Sequence, residues 1–160
     1  MSHPTIANKP LLFADSNVFI EALFIEESPA SIVIRLVNLG LFRLATCQTV
    51  VSDVENAILN KLEQNQSLLD DIIKRWSVIV EETNLIVLDD PSIAETKQIY
   101  KEYIHLMRHE NDIPVLAAAL KCNPQYILSG NSEHFNPRVS SKCKIQIYDC
   151  SEFIESMNAI

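Results

Sequence analysis

The feature that most constrains the fold is an alternation of short apolar runs with longer amphipathic segments. The apolar runs LLFA, LATC and YIL carry almost no charge, and polar or helix-starting residues follow each of them. Strands that are apolar at consecutive positions are usually covered on both faces, as in a parallel sheet flanked by helices. The alternation therefore predicts an α/β fold, a three-layer α/β/α sandwich with a central, mainly parallel sheet.

The same pattern places the individual elements along the chain. Strands are predicted in LLFADSNVFI, FRLATC, NLIVLDD, PQYILSGN and KCKIQIYD. Helices are predicted in SPASIVIRLVNLGLF, TVVSDVENAILNKLEQN, SLLDDIIKRWSVIVEE, SIAETKQIYKEYIHLMRH, DIPVLAAAL and CSEFIESM. No repeat, low-complexity tract or linker interrupts them. We therefore expect residues 1–160 to form one domain, a size that supports a single well-packed core.

The charge of the chain limits how it can meet nucleic acid. Its formal net charge is −8, with a calculated isoelectric point near 4.9. Contacts with phosphate need clustered Lys and Arg, so binding through overall charge is disfavoured. A local basic rim is compatible with this excess of acid, and so is a group of converging carboxylates that needs a cation.

Two further features of the sequence concern its compartment. No apolar run is long enough to cross a bilayer, and the opening MSHPTIANKP lacks the pattern of a signal peptide, which predicts a cytoplasmic protein. The four cysteines are scattered, with no C-x-x-C pair among them. We interpret them as reduced structural thiols rather than as a zinc site.

Polar residues collect where the predicted strands end. Asp15 and Asn17 follow the first strand, Ser129 and Asn131 follow the strand YIL, and Asp112 starts the helix that leads into that strand. In an open parallel sheet, ligands bind beyond the carboxyl ends of the strands. Carboxylates in such a place can hold Mg²⁺ together with water and a substrate phosphate, and two such ions can stabilise both oxygens of a phosphodiester displacement.

Each of these residues also has an ordinary structural interpretation. Asp112 alone is most often a helix N-cap and Asp15 a turn residue, while Ser129 and Asn131 alone would be loop polar groups. The functional interpretation gains weight because several elements deliver polar side chains to one predicted edge.

A third carboxylate is expected from the helix after the second strand, where Asp53 and Glu55 compete. The two acids lie about 200° apart around a helix, so normally only one of them faces the site. They flank the apolar side, centred between Val54 and Ile58, from opposite edges. Periodicity alone does not decide between them.

Four short motifs together resemble the PIN-domain family of metal-dependent nucleases, over nearly the whole chain. FADSNVFI matches the strand-ending Asp with Asp15, and DIPVLAAAL matches the Asp before an Ala-rich helix with Asp112. SGNSEHF matches the turn after the fourth strand. VVSDVENAI matches the acid-bearing helix best with Asp53, which leaves Glu55 as second choice. Two positions depart from the family pattern: Asp53 is shorter than the usual Glu, and Asn131 stands where many members have Asp.

The resemblance implies a Mg²⁺- or Mn²⁺-dependent ribonuclease. Asp15, Asp53 and Asp112 would hold the cation, and Ser129 and Asn131 would orient ligands or the attacking water. Small single-domain members of the family are commonly the toxin of a bacterial toxin–antitoxin pair. The implied partners are therefore an RNA substrate and an antitoxin protein, with a homodimer as a further candidate assembly and no membrane.

The resemblance also suggests contacts with substrate. Asn17, Arg108 and His134 are candidate substrate-binding residues, although packing is the default interpretation of His134. Candidate contacts to the RNA backbone are basic residues, most of which we expect to be ordinary solvated surface: Arg43, Lys74, Arg75, Arg108 and Arg138.

A second hypothesis belongs to a different class. The chain would be a PIN-like module without robust catalysis that acts by binding RNA or a partner protein. Asn131, Asp53 and the acidic isoelectric point favour this hypothesis, whereas Asp15 and Asp112 favour the nuclease. His105 and His109 stand four residues apart in one predicted helix, a spacing that can bind zinc, but an ordinary helix end is the favoured interpretation.

Overall fold

The computed structural model describes residues 9–107 and 109–158. Five short strands in this part of the chain form one sheet in the order β3-β2-β1-β4-β5. All four ladders are parallel. The strands are β1 (Leu11–Ala14), β2 (Arg43–Cys47), β3 (Ile86–Leu88), β4 (Tyr126–Leu128) and β5 (Gln146–Tyr148).

Helices connect the strands and pack on the sheet. They are α1 (Ser16–Phe24), α2 (Pro29–Asn38), α3 (Gln48–Leu62), α4 (Gln66–Glu82), α5 (Ile93–Tyr103), α6 (Ile113–Cys122), α7 (Pro137–Cys143) and α8 (Cys150–Asn158). Helix α1 packs against α2, α3 and α4, while α5 packs against α6. This is the α/β fold with a parallel central sheet that the apolar pattern predicts.

The centre of the sheet explains why consecutive strand residues are apolar. Leu12, Phe13 and Ala14 are all fully buried. Because successive side chains of a strand point to opposite faces, both faces of β1 must be covered. The rings of Phe19 and Trp76 meet edge to face at 5.4 Å, which places Trp76 in the core between α1 and α4. Burial of such side chains contributes about 1.5–3 kcal/mol each to folding.

The helix predicted in SIAETKQIYKEYIHLMRH is shorter than expected. Helix α5 ends at Tyr103, a 3₁₀ turn covers Ile104–Leu106, and Met107 is extended. The chain reverses here because α6 packs back against α5 within a few residues. His105 and His109 therefore do not share one helix, and the prediction that placed them on a common helical face is wrong.

Helix α7 has no counterpart among the predicted elements. Its seven residues bury only Val139 among the helix's own positions, so it carries almost no periodic apolar signal. The helix forms because Asn136 caps it, accepting the backbone N–H groups of Arg138 and Val139 at 3.0 and 3.1 Å, and because Pro137 suits a first turn.

None of the helices in the described residues is long and apolar enough to cross a membrane. All four cysteines are free thiols. Burial raises the pKa of Cys47 to about 11 and that of Cys150 to about 12. Thiols with pKa values this high are almost entirely protonated near neutral pH, which agrees with the structural role predicted for them.

Candidate active site

The carboxylate of Asp15 is the centre of the candidate site. Asp15 follows β1 directly and occupies the N-cap of α1, and it is only 5% exposed. Its oxygens accept the backbone N–H of Ser16 at 2.8 Å, the side-chain amide of Asn17 at 3.2 Å and the hydroxyl of Ser129 at 3.0 Å. The start of a helix also favours a negative charge. The carboxylate is therefore held in one place by three donors.

The loop after β4 is tied to the same point. The backbone N–H of Gly130 donates to Asn17 Oδ1 at 2.8 Å, and the backbone N–H of Asn131 donates to Ser129 Oγ at 3.1 Å. Asn17 also approaches Ser129 Oγ with its Nδ2 at 3.4 Å. The ends of β1 and β4 are thus joined by side chains as well as by the sheet.

Two opposing effects act on the pKa of Asp15. Burial is the larger and raises the pKa above its ordinary value of 3.8. The hydrogen bonds from Ser16, Ser129 and Asn17 lower it, and so does the charge of His134. Burial outweighs the donors, so the ionised form of Asp15 is less stable than in water and would gain from a nearby cation.

The structure places Asp53 and Glu55 on different sides of α3. Partial desolvation raises the pKa of Asp53, and the negative charge of Asp15 raises it further, so the two carboxylates lie within electrostatic reach. Glu55 instead lines a cavity of about 370 Å³ beside Trp76 and Val87. The charge effect of Asp15 on its pKa favours Asp53 as the second acid of the site.

Asp112 stands at the N-cap position of α6, after a 3₁₀ turn over Glu110–Asp112. Asp112 thus begins the helix, as the N-cap interpretation has it, but its side chain accepts no backbone N–H among the described residues. Asp112 Oδ2 lies against Nδ1 of the buried His134 instead. The ring of His134 in turn meets that of His109 edge to face at 4.9 Å. The carboxylate of Asp112 therefore contacts a side chain of the fourth motif instead of the start of α6.

Sequence reasoning missed Asp90, which binds the first turn of the helix that carries Asp53. Asp90, two residues beyond β3, accepts both the backbone N–H and the hydroxyl of Thr49, at 3.0 and 2.8 Å. Thr49 lies in the first turn of α3, one turn before Asp53. The buried hydroxyl of Thr46 donates to the carbonyl oxygen of Ala14 at 2.8 Å and joins the ends of β2 and β1. Only the strand-ending LDDP hints at Asp90 in the sequence.

The predicted substrate contacts fall in different places. Asn17 donates to Asp15 and His134 contacts Asp112, which favours a positioning role for both. Arg108 lies outside the described residues. Arg75 pairs with Glu26 at 2.9 Å.

The other predicted RNA-backbone contacts lie on three different elements. Arg43 starts β2 and so lies at the edge of the sheet opposite the acids. Lys74 is exposed on α4, and Arg138 is exposed in the first turn of α7.

The donor set of this edge suits a hard cation in its chemistry. Carboxylate, hydroxyl and amide oxygens are the ligands that Mg²⁺ and Mn²⁺ prefer. Within residues 9–107 and 109–158, no three His, Cys, Asp or Glu side chains come together closely enough to hold a metal by themselves. Mg²⁺ usually takes only one or two carboxylates and completes its shell with water and substrate phosphate.

Comparisons with known proteins bear on the fold. Neither a protein-family model nor a curated protein matches this sequence. Among solved structures, VapBC2 from Rickettsia felis, bound to a DNA fragment from its promoter, is similar with a TM-score of 0.61 and 15% identity over 87% of this chain and 98% of that chain. FitAcB from Neisseria gonorrhoeae is similar with a TM-score of 0.61 and 14% identity over 87% and 97%. VapC20 from Mycobacterium tuberculosis, a sarcin-ricin loop cleaving toxin, has a TM-score of 0.53 and 12% identity over 82% and 94%.

Likeness at 12–15% identity establishes the fold alone. The chain has the PIN-like fold that the four sequence motifs predict. What the fold is used for depends on the site itself.

Proposed function

We propose that this chain is a Mg²⁺- or Mn²⁺-dependent ribonuclease that hydrolyses RNA phosphodiester bonds and serves as the toxin of a toxin–antitoxin pair. The observation that carries the proposal is the buried carboxylate of Asp15, which three donors hold in place and whose charge raises the pKa of Asp53. Burying a carboxylate next to another is costly without a cation. A protein that maintains such a pair gains most from it as a cation site.

Asp15 and Asp53 would hold the cation, with Asp112 as the third candidate ligand. A divalent cation supplies Lewis-acid activation of the phosphodiester and of the attacking water. Asn17 and Ser129 would hold the carboxylate of Asp15 in position through their hydrogen bonds. Ser129 Oγ donates to Asp15 and accepts from the backbone N–H of Asn131, so this hydroxyl is a positioning group rather than a nucleophile.

His134 contacts one carboxylate oxygen of Asp112. Its ring is buried against Asp112, and its charge acts on Asp15. Asp112 therefore has to share its carboxylate between His134 and any cation. A carboxylate has two oxygens and about four acceptor sites, so one oxygen can serve the histidine while the other faces the site.

The solved structures lend support at the level of activity and partner. VapC20 is described as a toxin that cleaves the sarcin-ricin loop, and VapBC2 as bound to DNA of its own promoter. The description of VapC20 supports an RNA substrate for this chain. The antitoxin partner is proposed from the resemblance to the PIN-domain family. A small adjacent reading frame for a DNA-binding protein would support that partner.

A second candidate is a binding module without robust catalysis. It is favoured by Asn131 in place of an acid, by the contact between Asp112 and His134, and by the lack of a three-residue metal cluster in the described part of the chain. Such a module would bind RNA or a partner protein through the same edge of the sheet.

Cleavage of structured RNA by the purified chain separates the two candidates. We expect cleavage with Mg²⁺ or Mn²⁺, none with EDTA, and strong loss in Asp15→Asn and in Asp112→Asn. Asp71→Asn is the matched control, because Asp71 is an exposed acid on α4 and its loss changes the net charge equally. Equal cleavage in all variants would refute the site, and RNA binding without cleavage by wild type would favour the binding module.

A further inference from the structure

A polar cavity lies at the amino ends of the strands, at the opposite end of the sheet from the acids. It has a volume of about 600 Å³ and is lined where β1, β2, β4 and β5 begin. We call it the basic pocket. Its charged and amide residues are Lys9, Arg43, Asn123, Gln125 and Lys144. Three of these are cations and none is an acid, in a chain whose formal net charge is −8.

The positive charges of these three residues are not neutralised by ion pairs within the described part of the chain. Lys9, Arg43 and Lys144 form no ion pair with a carboxylate of the described residues. Arg43 Nε donates to the backbone carbonyl of Lys9 at 3.1 Å. That bond occupies one nitrogen of the guanidinium, and its terminal nitrogens have further N–H groups to donate.

Helix ends account for part of this positive charge. Helices α6 and α7 end at the pocket, with Asn123 and Lys144 as their left-handed C-caps. Each helix C-terminus carries a partial charge of about −0.5, which cations nearby stabilise. Two such ends offset about one of the three positive charges. About two of the positive charges in the lining are then left over.

We propose that the basic pocket binds a phosphate-type anion. Arg43 offers the planar fork that matches phosphate oxygens, and Lys9 and Lys144 add two point charges. Asn123 and Gln125 also line the pocket, and their side-chain amides can donate further hydrogen bonds. The anion is either a phosphodiester of an RNA chain or a free phosphate. The pocket is separate from the acidic edge, so the proposal does not depend on catalysis.

The test uses a double variant, Lys9→Gln with Lys144→Asn. Neither residue is buried. Lys144 has φ of +61°, a conformation that Asn adopts readily, so the fold should tolerate the change. Lys97→Gln with Lys101→Gln is the matched control, since both lysines are exposed on α5 and the net charge changes equally.

The first measurement titrates inorganic phosphate into the full chain and follows backbone amide signals by NMR. We expect the signals of Asn123, Gln125 and residue 144 to shift in wild type and in the control. In the double variant the shifts should be lost or need about tenfold more phosphate, because two of the three charged contacts are gone.

The second measurement determines the affinity of a single-stranded RNA oligonucleotide in EDTA, at several salt concentrations. If RNA phosphates occupy the pocket, the slope of log affinity against log salt falls by about 1.4 in the double variant, because each single-strand contact contributes about 0.7. An unchanged slope with lost phosphate shifts assigns the site to free phosphate. If neither measurement separates the double variant from the control, the proposal is overturned.

Discussion

The hydroxyl of Ser129 donates a hydrogen bond of 3.0 Å to Asp15 Oδ2, between residues 114 positions apart in the sequence. This bond joins the ends of two neighbouring strands at the edge where the acids converge. The bond helps to hold the buried carboxylate of Asp15 at the centre of the candidate site.

Ser129→Ala should destabilise the protein and weaken cleavage. Removing the donor leaves a buried carboxylate oxygen less satisfied, at a cost of about 1–3 kcal/mol. Urea unfolding measures the stability, and initial cleavage rates measure the activity. Ser132→Ala is the control, because Ser132 is exposed in the same loop. An unchanged stability in Ser129→Ala would contradict the role of this bond.

Asp15→Asn should raise the thermal stability of the metal-free protein near neutral pH. Burial raises the pKa of Asp15 above 3.8, so the folded state disfavours the ionised carboxylate. As the pH falls through this raised pKa, the folded state takes up the proton before the unfolded state does, and the penalty disappears. The stability gain from Asp15→Asn should therefore shrink as the pH falls from about 7 towards 4.

Thermal unfolding of both proteins across that pH range, in EDTA, measures this effect. Asp71→Asn serves again as the exposed control and should show no such pH dependence. A constant difference between wild type and Asp15→Asn over the whole range would mean that Asp15 titrates normally.

Asp53→Asn should reduce cleavage far more than Glu55→Gln. The negative charge of Asp15 raises the pKa of Asp53, whereas Glu55 lines a separate cavity beside Trp76. Loss of a metal ligand should cost more than the 10–100-fold typical of its hydrogen-bonding neighbours, so a decrease beyond about 100-fold is expected. Cleavage rates at several Mn²⁺ concentrations measure both variants. A larger effect of Glu55→Gln would reverse the assignment.

Asp90→Ala should weaken both stability and cleavage, while Asp90→Asn should restore most of each. Asp90 accepts two hydrogen bonds from Thr49 at the start of α3, the helix that carries Asp53. Loss of such a cap typically costs about 1 kcal/mol. Asn keeps the acceptor oxygen, so its rescue identifies the hydrogen bonds rather than the charge as the cause. Equal effects of Ala and Asn would contradict that.

The fold could largely be predicted from the sequence because the central strands are apolar at consecutive positions. Leu12, Phe13 and Ala14 show this pattern, which only a sheet covered on both faces explains. Helix α7 was not predicted because it has no periodic apolar face. Its start is stabilised by the cap at Asn136 instead. Helix α5 was predicted too long because the reversal towards α6 is a tertiary effect.

The candidate site could be predicted less completely. Strand ends point to Asp15, Asn17 and Ser129, because the sheet gathers whatever follows its strands. The choice between Asp53 and Glu55 depends on how α3 is rotated against the sheet, which periodicity leaves open. The contact of Asp112 with His134 joins residues from different elements, and no local pattern encodes it.

Mn²⁺ binding followed by NMR is the most direct measurement, because it does not require knowledge of the RNA target. Paramagnetic Mn²⁺ at the acidic edge should broaden the amide signals of Asn17, Gly130 and Asn131 first, and leave those near Lys144 sharp. In Asp15→Asn the same broadening should need much more Mn²⁺, and Asp71→Asn should behave as wild type. Broadening that begins elsewhere, or that is equal in Asp15→Asn, would contradict a cation site at Asp15.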